Sequence, residues 1–508
     1  MDKRQFFINL ISNLLSAFTG VGVSFFLTPY IVETLGKEAY GFFPLSTNFV
    51  MYTGIITTAL NSMAARFITM SLERKDVKEV NVYFNSVLFG NFIISGLFIV
   101  VSILFCLFIN LILDVPVHLI SDVRLLFVLV FLSLIINVSS SVFSIAAFAL
   151  NRLDKIAFYN FVVNVLKLSI TIVLFYFFTP RIYFLGIVVL VNAIYFFYVN
   201  YRTTKRLLPE VRISLSMFSW QAVILLVGSG IWNSVMSLSN VINTQLDLLV
   251  ANKFFNASGM GLLSLTKFVP TAIQLLLGIV VPVFLPEMIK AYAAKDDLKF
   301  KSILSFSFKA IFLMVLIPLA IFFVYGEEFF KLWLPGQDHR TLYFISLITL
   351  VPIVINSTID TIYHVFVITN KLRLASFWGI FISLLNLLLV ILLCVYSNLG
   401  IYAIPLAALI TGILSHVTFT PLYASYCLGE SKWYFLIKIA NGITGFVLLV
   451  ALTYLWKYFN FFAVNSWPTF IANILLIGTI LFVVTLFMKF DKEKLIEILS
   501  KFKQRLYL

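Results

Sequence analysis

The chain has 508 residues, 61% of them hydrophobic and only 11% charged, and its mean hydropathy is +1.04; such values exclude a soluble globular domain as the main body. The net charge of +14 is not a nucleic-acid footprint, because the Lys and Arg fall in short loops between apolar runs, facing anionic headgroups. Three cysteines lie far apart and four histidines show no ligand spacing, which excludes a disulfide framework and leaves no metal or cofactor motif.

Runs of about 20 predominantly apolar residues, enough to cross a roughly 30 Å hydrocarbon core, recur from end to end. In chain order they predict about fourteen transmembrane spans, at roughly 6–32, 40–64, 83–111, 122–149, 156–178, 182–201, 214–245, 259–285, 302–325, 341–368, 374–396, 400–424, 433–456 and 467–488. The second, seventh and eighth are diluted by Gly, Ser, Thr and Asn. The first follows "MDKR", is too long for a signal-peptide core and lacks a small-residue cleavage site, so it is expected to stay in the mature protein. The closing "KFDKEKLIEILSKFKQRLYL" reads as a basic amphipathic helix on the inner surface.

With the N-terminus inside, about 26 Lys and Arg fall on the inner side and about 7 on the outer. The inner set includes Arg66, Arg74, Lys75, Arg202, Arg206, Lys290 and Lys299; the outer set is Lys37, Arg124, Arg181, Lys253, Lys331, Arg340 and Lys457. Both termini are therefore expected in the cytoplasm.

The chain also matches itself at an offset of about 220 residues. "YGFFPLSTNF" at Tyr40 falls on "MGLLSLTKFV" at Met260, Asn13 on Asn233, and the "KD" of Lys75 on that of Lys295. After one residue of slippage Asn137 meets Asn356 and "NRL" at Asn151 meets "NKL" at Asn370. Each repeat holds six spans, an even number, so the repeats run parallel about an axis along the membrane normal. The expected architecture is all-α and polytopic: an N-lobe over 1–207, a C-lobe over 208–429, and two further spans with the tail over 430–508.

Residues three and four apart share a helix face, and that rule gathers the intramembrane polar groups into stripes. The first span aligns Asn9, Asn13, Ser16, Gly20 and Ser24; the seventh aligns Asn233, Ser237, Asn240, Thr244 and Asp247. The fifth carries Asn160, Asn164, Lys167 and Thr171, the eighth Lys267, Thr271, Gln274 and Gly278, and the tenth Asn356, Asp360 and His364. Polar groups in hydrocarbon are costly unless satisfied, so these stripes face helices or water. Interhelical bonding accounts equally well for the first and fourth spans. Lys267 is near enough to an outer end to snorkel, and Asp247 to cap or pair with it. Lys167 is about 16 Å from either end of its run, beyond the roughly 6 Å reach of its stem. The expected site is an aqueous cavity with Lys167, Lys267, Asn164, Asn233, Asn240 and Gln274 as cargo-binding residues, and Asp247, Asp360 and His364 as coupling or gating candidates. Two ammonium groups imply an anionic cargo.

The N-terminal "FLTPYIVETLGKEAYGFFPLSTNF" and the seventh-span "NTQLDLLVANKFFNASGMGLLSL" resemble the polysaccharide-biosynthesis flippases of the multidrug/oligosaccharidyl-lipid/polysaccharide (MOP) superfamily, the Wzx-type exporters of O-antigen and capsule units. The resemblance covers nearly the whole chain, although no short pattern is diagnostic. It implies a non-enzymatic transporter in the bacterial cytoplasmic membrane that moves polyprenyl-pyrophosphate-linked oligosaccharides between leaflets by alternating access. The implied partners are that lipid-linked cargo, membrane lipids, a coupling proton or sodium ion, and polysaccharide polymerase machinery. Poverty in intramembrane arginine counts against lipid II as the cargo. A multidrug/cation antiporter of the same superfamily would need an acidic cavity, for which Asp247 and Asp360 could serve. An O-antigen polymerase or ligase would need a long outer loop, whereas the longest here, about 326–340, has about fifteen residues.

Overall fold

The computed structural model describes residues 3–150, 152–459 and 464–489, so the predicted amphipathic tail lies outside the described residues. The fold is all-helical, with no strand among the described residues. Twelve continuous helical stretches are long and apolar enough to cross a bilayer. Two of them, Ile11–Glu73 with 63 residues and Trp220–Ala293 with 74, would be about 95 and 110 Å long if straight, three times the hydrocarbon thickness. Each doubles back instead. Thr28 Oγ1 and Tyr40 Oη, twelve residues apart, lie 3.3 Å from each other, and Lys267 Nζ lies 2.6 Å from Asp247 Oδ1. Two hairpins plus ten single stretches give fourteen spans.

The 220-residue offset recurs in the backbone. The two hairpins turn at Gly36 (φ 80°, ψ 159°) and at Asn256 (φ 56°, ψ −170°). Asn tolerates this left-handed region better than most side chains, and Asn256 Oδ1 also accepts the Ser258 N–H at 2.9 Å, so it opens the next helix as it ends the last. Further along, Lys75 (φ 58°) and Lys295 (φ 54°) each end a helix. Asp76 N–H bonds the Ser71 carbonyl and Asp296 N–H that of Ala291, both at 3.0 Å. The same two aspartates cap the following helices through Glu79 N–H and Lys299 N–H, both at 2.9 Å. At the slipped offset of 219, Arg152 N–H bonds the Ala147 carbonyl at 2.7 Å and Lys371 N–H that of Phe366 at 2.9 Å. Repeated turns at constant spacing are how one ancestral fold written twice looks in a backbone.

The chain forms two compact units. One comprises the residues up to Phe268 together with Ser376–Ala407; the other comprises Val269–Ala375 and the residues from Ala408 onward. In the first, Leu60, Ala64, Ile68, Val80, Phe84, Val142, Phe143, Ala222 and Leu226 are buried together. In the second, two cores form: one around Ile311, Val315, Leu319, Leu350 and Leu481, the other around Met288, Leu304, Ile359, Val365, Ala424 and Phe435.

Several predicted spans differ from expectation, and 3₁₀ turns at Ser141–Ser144 and Val281–Phe284 interrupt the fourth and eighth. The seventh begins only at Trp220, because residues 210–219 run alongside the Val77–Leu107 helix and are fastened there. Asn81 accepts from Arg212 N–H at 2.7 Å and donates to the Glu210 carbonyl at 3.1 Å. Asn85, fully buried, accepts from Ser214 N–H and donates to the Arg212 carbonyl, both at 2.8 Å. The tenth is interrupted: His339–Ser357 ends, and a 3₁₀ turn, Asp360–Ile362, leads into Tyr363–Ile368.

Candidate functional site

The seventh span is not continuous. Trp220–Thr244 ends, and a new helix, Asp247–Thr266, starts two residues later. Such a break leaves carbonyls at one end and N–H groups at the other without helical partners. Here the polar residues of the stripe find their use. Lys267 Nζ donates to the Thr244 carbonyl at 2.9 Å and to Asp247 Oδ1 at 2.6 Å. The Gln245 carbonyl accepts from Asn48 Nδ2 at 3.0 Å and from the Tyr52 hydroxyl at 2.9 Å. An ammonium thus sits at the negative end of one helix dipole and a carboxylate in the first turn of the next, each where the dipole favours it. Lys267 and Asp247 retain 26% and 23% of their side-chain exposure, so the pair is only partly shielded from water.

The second and seventh spans cross closely just beyond. A Cβ at Gly230 would lie 2.0 Å from the Ala59 carbonyl oxygen, so only glycine fits. Ser234 donates to the Ile55 carbonyl at 2.6 Å and Asn233 to Ser62 Oγ at 3.1 Å. Asn240, one turn before the break, is exposed.

Lys167 is the fifteenth residue of the 25-residue helix Leu153–Phe177 and is partly buried. Its ammonium lies 5.9 Å from the centroid of the Phe43 ring, a cation–π contact worth about 0.5–2 kcal/mol. No carboxylate among the described residues pairs with it. One turn away, Asn164 Nδ2 donates to the Ser16 carbonyl at 3.3 Å and stands 3.2 Å from where a Cβ on Gly20 would be. The first-span stripe therefore packs on the fifth span: Asn9 and Ser16 are buried, and Asn9 Oδ1 accepts from Asp154 N–H at 2.9 Å.

Gln274, Asp360 and His364 belong to the second unit. Gln274 is exposed. Asp360 accepts from Asn356 Nδ2 at 2.8 Å and has no cationic partner among the described residues. His364 Nε2 lies 3.2 Å from the Val281 carbonyl oxygen. The same unit holds a cavity of about 590 Å³ lined by Ile273, Ile317, Phe322, Phe329, Ile474 and Phe482. Its wall is almost wholly apolar.

The structure thus brings Lys267 and Asp247 into one cluster and places Lys167 with Asn164 on another helix. Sequence reasoning passed over Asn48 and Tyr52, although two polar groups at i and i+4 in an apolar run were a readable signal. It also passed over Phe43, whose role appears only when the helices are packed.

No family model matches the chain. An uncharacterized membrane protein of Bacillus subtilis (strain 168), EpsK, is 28% identical over 476 residues, covering 92% of each chain. Among solved structures, the lipid II flippase MurJ in an inward closed conformation aligns over 94% of this chain and 98% of its own, with a TM-score of 0.69 and 14% identity. An inward-facing MATE-family multidrug resistance transporter of the MOP superfamily aligns over 83% and 99%, with a TM-score of 0.61 and 14% identity. A MOP superfamily transporter from Pyrococcus furiosus, described as having a binding pocket of reversed polarity, aligns over 88% and 96%, with a TM-score of 0.58 and 12% identity. This chain is a multi-pass membrane protein with the fold of MOP-superfamily transporters.

Proposed function

We propose that the protein is a flippase that carries polyprenyl-pyrophosphate-linked oligosaccharide units across the bacterial cytoplasmic membrane for surface polysaccharide synthesis, with both termini in the cytoplasm. The lobes 1–207 and 208–429 alternate access, and 430–508 is appended to them. The observation that carries this reading is Lys167, an ammonium in the middle third of a membrane helix with no carboxylate partner among the described residues. A charge there costs several kcal/mol unless water or a ligand meets it. An anionic cargo is such a ligand, and a diphosphate suits a point charge that must also let go. Asn164, Asn233, Asn240 and Gln274 would bond sugar hydroxyls. Lys267 would serve the cargo when it leaves Asp247. The apolar cavity of the second unit suits part of a prenyl chain. A proton or sodium ion is the proposed coupling ion, and polysaccharide polymerase machinery the proposed partner that receives the cargo.

A MATE-like cation antiporter is the second reading, favoured by Asp360, a carboxylate with an amide but no cation beside it among the described residues. Leaflet accessibility of the lipid-linked sugar separates the two. In cells lacking the protein, the flippase reading expects the sugar to accumulate on the cytoplasmic leaflet and surface polysaccharide to disappear. Normal outward exposure, with only drug sensitivity altered, overturns it.

A further inference from the structure

The duplication writes one turn of the chain twice, and the two copies differ in charge. At the slipped offset of 219, Arg152 falls on Lys371 and Asp154 on Arg373, and each turn closes on the carbonyl five residues back. In the first copy the charges cancel: Arg152 Nε and Nη2 each donate to a carboxylate oxygen of Asp154 at 3.1 Å, a bidentate pair. In the second copy a cation stands where the carboxylate was. Lys371 meets a ring and no carboxylate among the described residues, its ammonium 4.8 Å from the centroid of Tyr426. Glu430, four residues beyond Tyr426, is taken by Lys301 at 2.5 Å. Basic loops are ordinary on the cytoplasmic side, but this lysine has a built wall. The Tyr423 hydroxyl donates to the Lys371 carbonyl at 3.0 Å. The Tyr423 ring stacks on Tyr426 at 6.2 Å and on Phe419 at 5.1 Å, with Phe366 at 5.2 Å. Turn and tyrosine are thereby held together.

A ring face attracts a cation without cancelling its charge, so this corner stays positive. Tyr426 is 70% exposed, and its hydroxyl has no partner among the described residues. Leu374, which follows Arg373, and Leu422, one turn before Tyr426 on the same helix face, are exposed as well. Ten spans, an even number, precede the turn, so it lies on the membrane side of the N-terminus. Cations at the helix ends with bare apolar surface beside them match a lipid whose headgroup is negative. We propose that this corner binds an anionic phospholipid of that leaflet, with the phosphate held by Lys371, Arg373 and the Tyr426 hydroxyl and the acyl chains lying over Leu374 and Leu422. All of these residues belong to the second unit. The first repeat, whose turn neutralises itself, has no such site, and the proposal does not depend on what the cargo is.

The test is native mass spectrometry of the whole protein released from micelles that carry phosphatidylglycerol or phosphatidylcholine with matched chains. The parent should retain one phosphatidylglycerol about 25-fold more tightly than a phosphatidylcholine, about fivefold for each of two basic residues. Lys371→Gln should lose about fivefold of that preference. Arg373→Asp rebuilds in the second repeat the ion pair that the first already accommodates, and should abolish the preference. Arg152→Gln, and Lys432→Gln at an exposed lysine on the same side, should leave it unchanged. An unaltered preference in Lys371→Gln, or an equal loss in Arg152→Gln or Lys432→Gln, overturns the proposal. If Arg373→Asp does not accumulate, Lys371→Gln alone decides. Undecaprenyl diphosphate added in equal amount should not displace the phosphatidylglycerol; displacement would make the corner a cargo site and overturn the phospholipid assignment.

Discussion

The Lys267–Asp247 pair is the contact whose worth can be worked out most directly. Asp247→Asn removes the counter-charge and leaves the ammonium with the Thr244 carbonyl at 2.9 Å; Lys267→Met leaves the carboxylate beside a helix N-terminus. Hydrogen bonds between charged groups contribute about 1.5–3 kcal/mol, and orphaning a fully buried charge costs about 3–5 kcal/mol. With roughly a quarter of each side chain exposed, water recovers part of that loss, so each single substitution should cost about 2 kcal/mol. The double variant has nothing left to orphan. It should cost about 2 kcal/mol as well, giving a coupling energy of about 2 kcal/mol. The assay is reversible unfolding in mixed micelles, followed by tryptophan fluorescence for the four proteins of the cycle. Additive costs, with a double variant losing about 4 kcal/mol, would refute the reasoning that the pair is a single unit. The same proteins address cargo binding: a stable Asp247→Asn, Lys267→Met protein that exports polysaccharide normally shows that Lys267 only braces the break.

Four further outcomes are expected. Lys167→Ala should abolish export at normal abundance while Lys167→Arg retains part of it, read as surface polysaccharide against membrane protein level; normal export by a stable Lys167→Ala protein removes the cargo role. Asn85→Ala should cost about 2 kcal/mol, because the Arg212 carbonyl and Ser214 N–H lose their buried partner, and limited proteolysis within 208–219 should quicken. Gly230→Leu should sharply lower the amount of folded protein, since even a Cβ overlaps the Ala59 carbonyl, whereas Gly478→Ala, with its nearest neighbour 3.7 Å away, should be neutral. Asp338 caps the His339–Ser357 helix, and the Thr341 hydroxyl, then its N–H, hold the Asp338 carboxyl below its ordinary value. A lowered folded value contributes stability that is present above the ordinary carboxylate value and is lost as pH falls through the lowered one, so Asp338→Ala should cost about 0.5–1 kcal/mol at pH 7 and less as the solution is acidified past the carboxyl's lowered value.

Composition and apolar run length determined that this chain crosses a membrane many times, because a span needs only about 20 apolar residues whatever its neighbours do. The repeat was equally legible: turns depend on short local sequence, so "KD" at Lys75 and at Lys295 wrote the same left-handed turn and cap twice. Periodicity also collected the polar residues onto faces. Which partner each face meets was decided by tertiary structure alone. The stripe of Asn9, Ser16 and Gly20 packs on the fifth span, and Lys267 is taken by a carboxylate and a carbonyl end twenty-odd residues back along a hairpin. Lys167, on a face that looked no different, received an aromatic ring and no carboxylate among the described residues. A helix face is fixed by a period of 3.6 residues within one segment, but its occupant comes from another segment whose approach depends on the whole packing, and no local pattern encodes that.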